Sequence, residues 1–170
     1  MPEPRGLVPA YFAATLWLST LDSGPSTLND LLQDQAKHWW TTERQKYRLV
    51  TSQFVFDEAG LGDPDAAALR LEMLAEIPLL VPDERVEMIA DELIARSLMP
   101  PKARIDSLHV ATAAIGGVEY LLTQNCKHIA NAHVLPRVYD LLKELGLPRL
   151  LICTPAEFLG GLDDEPESDS

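Results

Sequence analysis

Apolar positions change their period several times along this chain, and each change marks an element. Leu7 to Phe12 is a short apolar run that reads as the first strand. Apolar character continues to Leu21 without a basic leading segment or a cleavage site. We read that stretch as a buried strand running into a helix, not as a signal peptide. Leu28, Leu31, Leu32, Trp39 and Trp40 then recur at helical spacing, which predicts one long helix over residues 26–46. Arg48 to Thr51 is a second strand, with Ser52 as N-cap of the helix that carries Glu58. Asp63-Pro64 opens another helix, with proline at its first position. Pro78 to Val81 reads as a third strand.

From Asp83 onward the stripe Val86, Ile89, Ala90, Leu93 and Ile94 is a core-facing helical pattern. Pro100-Pro101 stiffens the next connection, and a helix follows over residues 102–115, stopped by Gly116-Gly117. Tyr120 to Thr123 is a fourth strand, residues 132–145 a helix ended by Gly146, and Arg149 to Cys153 a fifth strand. Thr154-Pro155-Ala156-Glu157 has the form of a capping box before a final short helix. Short apolar runs that alternate with amphipathic helices predict an α/β fold, a parallel sheet flanked by helices. We expect one domain over residues 1–160 and an acidic, disordered tail over 161–170.

Composition narrows the class. A chain of 170 residues that is 46% apolar has enough material for a proper core. No run is long enough to span a bilayer, so no membrane partner is expected. The two cysteines, Cys126 and Cys153, lie far apart and form no metal-ligand spacing, which suits a reducing cytoplasm. The formal net charge of −12 argues against a general DNA binder. Such acidity is compatible with a carboxylate-lined metal site or with a basic partner protein.

In open α/β sheets ligands bind where strands end at their carboxyl edge. Ala13 to Thr15 follow the first strand, Glu58 lies on the helix after the second, Asp106 begins the helix leading into the fourth, and Asn125 lies just beyond that strand. Oxygen ligands of this kind suit Mg²⁺ or Mn²⁺. Each residue also has a plainer reading. Glu58 is then a solvated helix position, and Asp106 simply favours the positive end of its helix. Asn125 is a turn residue, Thr15 a helix cap, His109 a packed imidazole, and Lys127 and His128 loop surface. Trp39 and Trp40 either stack on bases or, at least in part, belong to the core.

The stretches Val50-Thr51-Ser52 to Glu58, Gly62-Asp63-Pro64, Pro100-Pro101-Lys102-Ala103 with Asp106-Ser107-Leu108-His109, Leu121 to Asn131, and Ile152-Cys153-Thr154-Pro155 stand in a specific order and spacing. In that order they resemble the PIN-domain family, especially its toxin-like ribonuclease branch from bacterial toxin–antitoxin pairs. The resemblance spans about residues 8–159. It implies a three-layer α/β/α fold around a mainly parallel sheet, a divalent metal, and cleavage of single-stranded RNA. Glu58 matches the family's helix carboxylate and Asp106 its central metal ligand. Asn125 stands where many members have Asp, and Asn is common before a Lys-His-Ile ending. Ala13 occupies the position of the family's first-strand acidic residue and has no oxygen to offer a metal.

The resulting expectation is a cytoplasmic Mg²⁺- or Mn²⁺-dependent endoribonuclease of toxin type. Glu58, Asp106 and Asn125 form its catalytic and metal-binding set, and Thr15, His109 and Lys127 stand behind them. Expected partners are single-stranded or structured RNA, an antitoxin protein and a second copy of the chain. The alternative, which Ala13 and the net acidity favour, is a catalytically dead PIN-like module that binds protein or RNA.

Overall fold

The computed structural model describes residues 8–12 and 27–158. The tail after Gly161 lies outside the described residues, as do Ala13 and Thr15. Among the described residues a small, wholly parallel sheet is accompanied by helices. In chain order the elements are β1 (Val8–Phe12), α1 (Thr27–His38), β2 (Tyr47–Val50), α2 (Gln53–Ala59) and α3 (Pro64–Leu74). There follow α4 (Arg85–Ala95), α5 (Arg104–Ile115), β3 (Tyr120–Leu122), α6 (Leu135–Glu144) and β4 (Leu151–Cys153). The strand order is β2-β1-β3-β4, with Tyr11 beside both Val50 and Leu121, and Leu122 between Phe12 and Cys153. The chain moves to one side of β1 for β2 and to the other for β3. The carboxyl ends of β1 and β3 therefore bound a topological switch point, the place where such sheets hold ligands.

Helix α5 is the centre of the core. Every residue from Ser107 to Ala114 is buried. Small side chains (Ser107, Ala111, Ala113, Ala114) let neighbours approach closely, and α4 packs Val86, Ile89, Ala90 and Leu93 into the same core. The connection after α5 is equally tight. A Cβ at Gly116 would lie 2.9 Å from Leu80 Cδ1, so glycine is needed there for space.

Three expected elements take a different form. The long helix over 26–46 breaks after His38 into a π turn (Trp39–Glu43) and a 3₁₀ turn (Arg44–Lys46). Thr41 Oγ1 and Thr42 Oγ1 donate back to the carbonyls of Lys37 (2.9 Å) and His38 (2.6 Å), which supports a local bulge. The bulge buries Trp39 in the core, stacked on Tyr47 with centroids 6.2 Å apart. Trp40 is half-buried under the Arg44 guanidinium. The predicted strand Pro78–Val81 shortens to one parallel bridge, Thr51 with Leu79. Pro78 and Pro82 frame it, and neither has a backbone N–H for a longer ladder. Helix α6 starts at Leu135, later than the predicted residue 132.

The caps agree more closely. Ser52 Oγ accepts from Val55 N, and Asp63 Oδ1 accepts from Ala66 N at 3.0 Å ahead of Pro64. At the start of α4, Asp83 accepts from the backbone and guanidinium of Arg85, and those bonds hold its carboxyl down to about 2.

Arg70 shows how the helix carrying Glu58 is fixed at its far end. It is 5% exposed and donates to the carbonyl oxygens of Ala59 (2.9 Å) and Leu61. These are orphan acceptors at the C-terminus of α2, where a cation is also favoured by the helix dipole. Arg70→Met keeps the apolar stem and removes the donors. We expect it to lower stability by about 1–3 kcal/mol in urea titrations, while Leu69→Ala, at an exposed neighbour, stays within roughly 0.5 kcal/mol. The cysteines should separate just as sharply. Burial, with Glu157 nearby, pushes the Cys153 thiol up to about 12, whereas Cys126 is exposed. Only thiolate attacks a disulfide reagent. At pH 8 the native chain should react at Cys126 alone, and both cysteines should react in urea; rapid native labelling of Cys153 would contradict this packing.

Candidate functional site

Two of the predicted carboxylates come from helices that meet. Glu58 lies in the last turn of α2, and Asp106 in the first turn of α5. The positive end of α5 favours Asp106 where it stands. His109 follows it one turn later, on the same side of the helix. Its imidazole is fully buried, and its Nε2 lies 2.8 Å from Glu58 Oε2, so α2 and α5 are joined through an imidazole–carboxylate bond. A buried imidazole needs such a partner. With the proton placed on Nε2, His109 donates and Glu58 accepts.

A second pair forms on the other side of Asp106. His128 Nδ1 lies 3.0 Å from Asp106 Oδ2, and both side chains are mostly buried. Asn125 builds the loop that makes this contact. Its Oδ1 accepts from His128 N at 3.0 Å, and its own N–H donates to Thr123 Oγ1 at 3.1 Å. The β3 end, Asn125, His128 and Asp106 thus form one hydrogen-bonded chain.

Each predicted carboxylate is paired with a histidine. Glu58 is tied to α5 by His109, and Asp106 to the Asn125 loop by His128. Among the described residues no three or more His, Cys, Asp or Glu side chains are grouped to hold one ion, so the four side chains form two pairs. Glu58 Oε1 and Asp106 Oδ1 take no hydrogen bond among the described residues. These hard oxygens suit Mg²⁺ or Mn²⁺, and carboxylates that ligate metals are ordinarily held by hydrogen bonds of their own. The donor set therefore fits a hard divalent cation bound directly or through water.

His128 matters more to the site than the sequence suggested. Its neighbour Lys127 is exposed and beside Pro100 and Pro101, in a groove that His128 and Asn131 also line. The contact depends on a turn: His128 N–H donates to Asn125 Oδ1, which turns the loop back toward the helix.

The strength of the α2–α5 link is measurable. A double-mutant cycle with Glu58→Gln and His109→Gln should give a coupling of about 1.5–3 kcal/mol, the range for hydrogen bonds to charged groups. A coupling near zero in urea unfolding would show that the pair contributes nothing beyond its separate packing.

No protein-family model matches the chain, and comparison with curated proteins and with solved structures returns no match.

Proposed function

We propose that the chain is a PIN-like endoribonuclease dependent on Mg²⁺ or Mn²⁺, of three-layer α/β/α architecture. In this reading it is a cytoplasmic toxin-type enzyme held in check by an antitoxin protein, and its substrate is single-stranded or structured RNA. One observation carries the reading. Two carboxylates on separate helices, Glu58 on α2 and Asp106 on α5, are each held by their own imidazole, while one oxygen of each takes no hydrogen bond among the described residues.

When bound, the cation would lower the pKa of water and offset the charge that develops on a phosphodiester. The chain's residues supply the geometry. Asp106 and Glu58 would hold the ion directly or through water. His109 fixes the carboxylate plane of Glu58, and His128 fixes that of Asp106. Asn125 acts through His128, because its side-chain oxygen is already engaged in shaping the loop. Lys127, at the rim of the neighbouring groove, has the charge to meet a phosphate.

Ala13 favours a second reading. With no oxygen at that position, the same scaffold serves as a module that binds RNA or protein without cutting. Ala13→Asp separates the two. In the nuclease reading it places a third carboxylate at the switch point. Like charges repel without metal, and Mn²⁺ relieves that repulsion and stabilises the native state by mass action. The variant should therefore show the larger Mn²⁺-dependent rise in Tm and gain metal-dependent cleavage of a mixed RNA pool. Adding Asp106→Asn should abolish the gain. A folded Ala13→Asp variant with neither tighter Mn²⁺ binding nor RNA cleavage would replace the nuclease with the binding module.

A further inference from the structure

The Pro78–Val81 segment has a role that the candidate site does not use. Its inner side pairs with the end of β2, where Thr51 N donates to Pro78 O (2.9 Å) and Leu80 N donates to Thr51 O (2.7 Å). In a parallel bridge of this form, the N–H and C=O groups of Leu79 and Val81 point away from β2. None of these four groups carries a hydrogen bond among the described residues. The flanking side chains are open too, with Leu79 50% and Val81 87% exposed. An exposed apolar edge of this kind is a template for another strand, and proteins ordinarily cover or charge it.

The surroundings define what would cover it. Leu80 points to the opposite face from Leu79 and Val81 and lies against Gly116. On that side the segment walls a cavity of about 560 Å³ lined by apolar Phe54, Leu80, Val86 and Ile115. Glu84 and Glu87 also line it and are in no ion pair among the described residues, whereas Asp83 is occupied by Arg85. The opening is therefore apolar within and negatively charged at its margin. A second copy of the chain would bring the same acidic residues to this edge on a molecule of net charge −12, where like charges oppose pairing.

We propose that this edge is a docking site for an extended segment of a partner protein that carries apolar residues at every second position, flanked by Lys or Arg. The segment adds a strand beside Leu79–Val81 through main-chain hydrogen bonds. Its apolar side chains on one face enter the cavity against Phe54, Val86 and Ile115. Its basic side chains, at the ends of that same face, meet Glu84 and Glu87 at the margin. The inference does not depend on the nuclease reading, because none of these residues belongs to the two imidazole–carboxylate pairs.

The test is selection of random segments of about ten residues, an ordinary upper strand length, displayed on phage against the full chain. Enriched sequences should carry apolar residues at every second position with Lys or Arg flanking them. The leading peptide, made synthetically, should bind with an affinity that falls as salt rises. Methylating its alternate backbone nitrogens should weaken binding roughly tenfold or more. Val81→Pro removes one outward N–H and should do the same, and so should Glu84→Lys combined with Glu87→Lys. Circular dichroism melts check that both variants fold. Should Val81→Pro fail to fold, the methylated peptide still decides the matter on the unaltered chain. Three results would overturn the proposal: no enrichment of alternating apolar sequences flanked by basic residues, binding indifferent to backbone methylation, or self-association through this edge in sedimentation experiments.

Discussion

A fully buried histidine imposes the constraint on which this molecule turns. His109 sits on a helix whose residues from Ser107 to Ala114 are all buried. Leaving an imidazole there without a partner would cost about 1–3 kcal/mol. Its Nε2 meets Glu58 Oε2 at 2.8 Å, and satisfying that one group fixes where α2 lies against α5. The other supports follow from it. Ser52 caps the start of α2, Arg70 holds its last carbonyls, and Glu58 is left part-exposed between them. One turn earlier on α5, Asp106 falls at the N-terminal end, where the Asn125 loop can reach it through His128.

The acidity of the chain acquires two separate meanings in this arrangement. Glu58 and Asp106 are each paired with an imidazole, so their carboxylates are held in place. At the Pro78–Val81 edge, Glu84 and Glu87 stand without ion partners among the described residues beside an apolar cavity. We propose a hard cation for the first and a basic polypeptide for the second. Both agree with a surface that does not attract nucleic acid by charge alone; RNA at the first site would depend on the cation and on Lys127.

Much of the fold was legible because local signals were strong. The stripe Val86, Ile89, Ala90 and Leu93 marked a core helix, and Ser52 and Asp63 marked helix starts through short side-chain bonds to nearby N–H groups. The break after His38 was not legible, since Trp39 and Trp40 fit a helical period and only packing against Tyr47 favours the bulge. Pro78–Val81 read as a strand by composition, yet its prolines limit it to a single bridge. Within the candidate site, Glu58, Asp106 and Asn125 were singled out from their places relative to the strands. That His128 reaches Asp106 was not, because the contact depends on a loop turning back by three residues, which spacing along a chain does not encode.

The central claim is that Glu58 and Asp106 share one cation site beside α5. Paramagnetic Mn²⁺, titrated at low concentration and followed by NMR of the histidine side chains, tests it most directly. The account predicts that the ring resonances of His109 and His128 broaden first and together, while those of His38 and His133 persist, and that Asp106→Asn removes the effect. Broadening centred on the Asp83–Glu87 region, or spread evenly over the acidic surface, would contradict it.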